Sequence, residues 1–253
     1  MTSNSVKYTI VFNYAYLCLG IVGLFYMSAW TLPVWLFFAL GNGTVGHRYF
    51  SHNNFSVSRP MHWVMAAWAT IAAYSPVSYW QVQHKHHHRH TDQPQDIHSP
   101  RQGLFMAVIG WPFSSQRIQS VFGDRACVIT HARAMRDPAI KFFSTHMVLI
   151  NLVVLATVAA ISINAVLAMG TAFLFEQLRL GLINTMCHLP NIPGNYRNHD
   201  TDESSNNNVF LGILSLGFGW HNNHHADPSK LVLTEHWWEL DIEGYVGKLL
   251  GKL

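Results

Sequence analysis

Seventeen histidines stand in this chain of 253 residues, more than its thirteen aspartates and glutamates together. Nine of them, in four clusters, have spacings that suit metal ligation. His84, His87 and His88 stand at i, i+3 and i+4, one face of a helix, and His221, His224 and His225 repeat that spacing. Asn184 and His188 stand at i, i+4 on a third helix. His47 and His52 are five apart, so the helix must unwind or turn between them. One ion takes about four to six donors, so nine neutral imidazoles suit two metals. With no CxxC and no Glu-x-x-His pair, the set is neither a zinc finger nor a ferritin-like carboxylate site. Imidazole ligation suits iron, zinc, copper or nickel. His86 and His90 flank the second cluster but point off its face. His62, His131, His146, His199 and His236 read as ordinary polar contacts.

The elements that carry these clusters are apolar. Hydrophobic residues make up 49% of the chain, aromatics 13% and charged residues only 11%. A soluble domain carries about 25% charged residues, so the composition argues against a soluble globule and equally against disorder. A formal charge of +3 leaves no nucleic-acid footprint. Cys18, Cys127 and Cys187 are too sparse for a disulfide framework. From Tyr8 to Gly46 there is no Lys, Arg, Asp or Glu. That run is long enough for two crossings of a ~30 Å hydrocarbon core. It lacks the basic start and cleavage site of a signal peptide. A second apolar run covers 142–187, turning near Ser162-Ile163-Asn164. Glu176 and Arg179, at i, i+3 within it, pair on one face toward the bundle interior.

The expected fold is therefore all-α and integral to the membrane. Four transmembrane helices (about 8–27, 32–46, 142–161 and 166–187) form two hairpins. A cytoplasmic helical cap, 47–141 and 188–253, carries a His-rich dinuclear metal site. The short turns 28–32 and 160–166 have no Lys or Arg, whereas the cap is rich in both, which places both termini and the metal site in the cytoplasm. Met61 to Trp80 is about one span long, but crossing would put the histidine clusters on opposite sides. It reads as an interfacial or buried helix. The whole chain reads as one domain.

The clusters have the form HxxxxH, HxxHH, NxxxH and HxxHH. Together with Thr91-Asp92, Asp96-Ile97-His98-Ser99-Pro100, Gly103 and Gly110-Trp111, they resemble the membrane fatty acid desaturases, in particular the stearoyl-CoA-type delta-9 acyl desaturases. Trp237-Trp238-Glu239-Leu240-Asp241 looks like the bacterial branch, and so like a protein of a bacterial inner membrane or its equivalent. The resemblance covers roughly 40–245. It implies that His47, His52, His84, His87, His88, His188, His221, His224 and His225 bind two irons, with Asn184 reaching one through water. It implies no catalytic side chain beyond the ligands. Dioxygen is the co-substrate, and a cis double bond enters a saturated acyl chain carried as acyl-CoA or acyl-lipid. Electrons come from a separate donor of the ferredoxin or cytochrome b5 type with its reductase. Asp92, Asp96, Asp202, Glu239 and Asp241 are candidate acceptors of imidazole N–H groups. Phe218, Asp227, Asn206 and Val82 depart from the family's usual residues and leave the choice among CoA, carrier protein and lipid ester open.

Two alternatives compete: a related di-iron lipid hydroxylase or ketolase, and a His-rich metal transporter. A transporter places ligands near the bilayer midplane, whereas these clusters lie at span ends. Stepping back by fours from His47 along the second span meets Gly43, Ala39 and Trp35, which would line an acyl tunnel and plug its end. Trp35 at the outer membrane interface is the competing reading. Trp80, just ahead of the second cluster, joins the substrate-lining candidates.

Overall fold

The computed structural model describes residues 3–72 and 75–252. Helices follow in the order α1 (Ser3–Leu24), α2 (Thr31–Leu40), a π-helix (Gly41–Ser51), α3 (Arg59–Ala72), α4 (Val77–His90), α5 (Ser115–Ser120), α6 (Arg125–Ala134), α7 (Pro138–Ile161), α8 (Ile163–Met186), α9 (Val209–Leu214), α10 (His221–Ala226) and α11 (Ile242–Leu250). Strands β1 (Asn195–Tyr196) and β2 (Asn207–Asn208) form a small antiparallel pair. Three helices are long and apolar enough to cross a membrane: Ser5–Leu24 of α1, and the whole of α7 and α8.

The expected span 32–46 has a different construction. Only ten residues, Thr31–Leu40, are α-helical, and Gly41–Ser51 continues as a π-helix. The change begins at Gly41-Asn42-Gly43-Thr44, four weak α-formers in a row. In the i→i+5 register the His52 amide donates to the His47 carbonyl at 3.1 Å. This is the local unwinding that the five-residue spacing of these two histidines calls for.

α8 is the central element and mostly buried, whereas α7 turns most of its surface outward. Small residues allow the close approach of α1 to α8. A Cβ on Gly20 would sit 2.6 Å from the Gly170 carbonyl oxygen, and one on Gly23 would sit 2.6 Å from that of Leu167. Gly20 meets Gly170 and Gly23 meets Leu167, so the two helices run antiparallel. Small-on-small contact is the usual solution for helices that gain nothing from hydrophobic burial in lipid.

The segment 61–80 is two pieces rather than one helix. α3 ends at Ala72, and α4 starts after Pro76. The proline ring disfavours the α conformation in the residue before it. Ala73 and Tyr74, which the expected segment included, lie outside the described residues. Trp80 thus belongs to the helix of the second histidine cluster.

Candidate metal centre

The fold brings the nine histidines into two adjacent groups. His47, His52, His84, His88 and His224 form one, and His87, His188, His221 and His225 the other, with ligand atoms within 4.8 Å of one another in each group. The Nε2 atoms converge. His52 and His84 approach to 2.7 Å, His88 and His224 to 2.9 Å, and His47 and His224 to 3.1 Å. In the second group His188 and His221 approach to 3.0 Å, and His221 and His225 to 3.1 Å. The rings of His88 and His225 lie 4.5 Å apart and join the two groups.

Each supporting element has a local cause. α4 presents His84, His87 and His88 on one face, and the π-helix turns His47 and His52 together, with ring centroids 4.8 Å apart. α10 has no side-chain cap of its own. Instead Asn207 reaches across from β2, and its Oδ1 accepts from the amides of Asn222 and Asn223 at 3.0 and 3.1 Å. Those are first-turn amides that a helix leaves open, so Asn207 sets the orientation of His221, His224 and His225. α8 stops at Met186, and the His188 amide donates to the Thr185 carbonyl instead. Asn184 and His188 are therefore not neighbours on one continuous α-helical face. The last turn is over-tightened, and Asn184 stays half-buried on α8.

Behind the second group stand carboxylates. The His87 Nδ1 lies 2.9 Å from Asp96 Oδ2, and the His188 Nδ1 lies 3.4 Å from Asp92 Oδ2. Asp92 takes a left-handed backbone (φ 62°) just past α4, which an aspartate tolerates. The chain then folds back and delivers Asp96 to His87. Asp92 in turn accepts from the Ser204 amide at 2.9 Å and from the Ser204 hydroxyl. Glu203 lies 3.8 Å from the His225 Nδ1 and 3.9 Å from the His188 Nδ1. The five-histidine group has no carboxylate behind it among the described residues.

Burial, then repulsion from neighbouring cations and imidazoles, lowers the histidines: His52 to about 3, and His84, His88, His221, His224 and His225 well below the usual value. They are therefore neutral, as metal ligands must be. Burial also acts downward on His87, but the Asp96 carboxylate outweighs it and the net direction is upward. Burial acts upward on Asp96, yet His87 and His98 hold it well below the carboxylate range.

The donor set fits two imidazole-loving metals. His87 Nε2 is buried with no hydrogen-bond partner among the described residues, while its Nδ1 is fixed by Asp96. That division leaves Nε2 for a metal. Of the five acids expected to support imidazoles, Asp92 and Asp96 do so. Asp202 is exposed. Glu239 instead accepts from Asn223 Nδ2 at 3.0 Å and holds α10. Asp241 pairs with Arg48 at 2.8 Å. The sequence reading missed Glu203, Asn207 and His98, whose ring stacks 4.5 Å from His87. The Asp96-Ile97-His98 motif was the available signal for His98, and no spacing rule pointed to Asn207 or Glu203. His62, His131, His146, His199 and His236 lie outside both groups, as do His86 and His90. His62, for example, pairs with Asp137 at 3.1 Å.

Of the substrate-lining candidates, Trp80 is buried and stacks on His84, with ring centroids 6.0 Å apart. Trp35 is half-buried against the core. A Cβ on Gly43 would sit 2.0 Å from the Glu243 carboxylate, so that position faces a buried ion cluster, to whose Arg179 the Ala39 carbonyl also bonds at 3.3 Å. In that cluster Arg48 pairs with Glu243 (2.6 Å) as well as Asp241, and Arg179 pairs with Glu243 (2.8 Å) and Glu176 (2.7 Å).

Comparison with known proteins settles the family. The chain matches the fatty acid desaturase family over residues 24–242. It belongs to that family, and with it to the oxidoreductases that act as acyl desaturases. It is 28% identical over 90% of its length to a delta-9 acyl-lipid desaturase of Arabidopsis thaliana, covering 74% of that protein. It is 29% identical over 95% to a probable chloroplastic lipid desaturase of the same plant (66% covered). It is 27% identical over 85% to an icosanoyl-CoA 5-desaturase of Limnanthes douglasii (62% covered). Family membership and the apolar helices together mark a membrane protein.

Proposed function

We propose that the chain is an oxygen-dependent di-iron desaturase that places a cis double bond, at delta-9, in a saturated acyl chain carried as acyl-CoA or acyl-lipid. The observation that carries this reading is the convergence of nine imidazoles into adjacent groups of five and four, in a chain of the desaturase family. Relatives named for both acyl-lipid and acyl-CoA substrates support both carriers. The desaturase names of these relatives do not favour the hydroxylase or ketolase alternative.

The irons, when bound, supply the oxidising chemistry with dioxygen and two electrons from a separate ferredoxin or cytochrome b5 type donor. The chain's own residues hold and position. His47, His52, His84, His88 and His224 would hold one iron, and His87, His188, His221 and His225 the other, with Asn184 reaching one of the two through water. Asp96 and Asp92 keep His87 and His188 in the tautomer that turns Nε2 inward. Trp80 and Phe218 wall the centre: Phe218 lies edge-on to His47 at 4.6 Å, Trp80 stacks on His84, and both rings are buried. In this reading the α2 and π-helix run completes a fourth span, with both termini and the metal centre cytoplasmic.

Whole-cell lipid analysis tests the reading. Expression in a host whose acyl chains are saturated should yield monounsaturated chains, and His224→Ala should abolish them. Hydroxylated or keto products from the wild-type chain would overturn it.

A further inference from the structure

On the face of α4 turned away from the nine-histidine cluster, His86 and His90 stand one turn apart, with ring centroids 4.6 Å from each other. Asp124, the residue that caps α6, comes up beside them, its Oδ2 3.5 Å from the His90 Nε2. The ligand atoms of His86, His90 and Asp124 all lie within 4.8 Å of one another. The three border a cleft of about 590 Å³ that opens to solvent. His86 is only 4% exposed, and its Nδ1 has no hydrogen-bond partner among the described residues. A buried polar atom left in that state calls for a ligand or a water.

We propose that His86, His90 and Asp124 form a separate site for one divalent cation of the zinc class. The donor chemistry selects the ion. Two imidazoles one helical turn apart plus a carboxylate make a three-ligand zinc-type set, with a fourth position open to the cleft. None of the three ligands is a thiolate, and the Cys127 thiol beside Asp124 is held protonated by burial, which disfavours soft monovalent copper; two nitrogens disfavour calcium and magnesium. The ion ties the end of α4, which carries three of the nine clustered histidines, to the start of α6.

One group competes for the carboxylate. Arg89 Nη1 lies 2.5 Å from Asp124 Oδ2, the oxygen that faces His90. The Arg89 side chain is 46% exposed, and an ion pair so exposed is weak. Arg117 and Arg125 also line the cleft and add positive potential. The site therefore binds reversibly and with lower affinity than a closed structural zinc site. It stands on its own residues and does not rest on the desaturase reading.

Cobalt(II) is the probe. The iron-loaded protein in detergent is dialysed against cobalt, and cobalt and iron per chain are measured together, with the visible d–d absorption of cobalt recorded. The wild type should take up one cobalt that His90→Ala and Asp124→Asn both lack, with iron content unchanged in all three. Asparagine caps a helix as well as aspartate, so Asp124→Asn removes the charge while keeping α6. Cobalt uptake by either variant equal to that of the wild type would overturn the site. The readout is a difference of one equivalent, so it holds whatever number of metals the nine histidines carry.

Discussion

At the residue scale the two halves of the centre are electrostatically unlike. His87, His188 and His225 have carboxylates at their Nδ1 atoms, whereas His52, apart from burial, feels the cations of Arg48 and Lys85. A carboxylate behind an imidazole raises its basicity and fixes its ring. Asp96→Asn should therefore weaken metal held by the four-histidine group about 10–100-fold. The five-histidine group should be left nearly unchanged. Titration with a competing chelator, followed by metal analysis, would show a biphasic release in the variant. Equal loss from both groups would contradict the asymmetry. Trp35 carries a second expectation at this scale. If it plugs the acyl tunnel, Trp35→Ala should admit longer chains while the double bond keeps its distance from the carboxyl end. Gas chromatography of product chains from expressing cells checks it. An unchanged length profile leaves only the membrane-interface role.

At the element scale the π-helix is the part under most constraint. Its wide turn brings His47 and His52 onto one centre, and its other side meets α11, where the absent side chain of Gly43 makes room for Glu243. Arg48 is 1% exposed and bonds Asp241, Glu243 and the Leu231 carbonyl. The C-terminal segment is thereby clamped to the helix that carries the first histidines. Removing one member of a buried ion cluster leaves its partners uncompensated and costs about 3–5 kcal/mol. Arg48→Met should lower the melting temperature in detergent sharply. It should also lower metal content, because His47 is the adjacent residue. A variant with wild-type melting and full metal content would mean that the cluster is incidental to the centre.

At the scale of the molecule, two expectations follow from burying so many histidines in one place. In the metal-free chain, His52, His84, His88, His221, His224 and His225 titrate below the free value of 6.5, with His52 at about 3. The unfolded chain therefore binds more protons than the folded one as pH falls below 6.5, and stability falls with it. Each such histidine contributes up to about 1.4 kcal/mol per pH unit in that window. Thermal unfolding of apo protein should occur at clearly lower temperature at pH 5.5 than at pH 7.5. Bound metal should shrink the difference. The second expectation is topological. Ser56 and Gln93 flank the segment from α3 to α4 and are both exposed. Single cysteines at these positions should react with a membrane-impermeant reagent from the cytoplasmic side only. Labelling from opposite sides would break the proposed four-span topology.

The histidine clusters, the desaturase family and the helical, membrane-bound class of scaffold were legible in the sequence. Imidazoles at i, i+3, i+4 repeat a helix period, and long charge-free runs have few places to go but lipid, so both are legible without a structure. The sequence also located the break at Ser162 and the inward-facing Glu176–Arg179 pair, which the fold joins at 2.7 Å. The remaining features depend on residues distant in the chain. The division of nine histidines into five and four follows from where α4, α10 and the π-helix cross. Asn207 caps α10, Glu203 approaches His188 and His225, and Glu239 holds Asn223 rather than a histidine. A side chain's partner across the fold leaves no periodic trace in sequence. The His47–His52 spacing called for unwinding, but the extent of the π-helix over Gly41–Ser51 was hidden for a related reason. Its i→i+5 register follows no 3.6-residue pattern, and the partners of its Arg48, Glu243 and Asp241, lie some two hundred residues away.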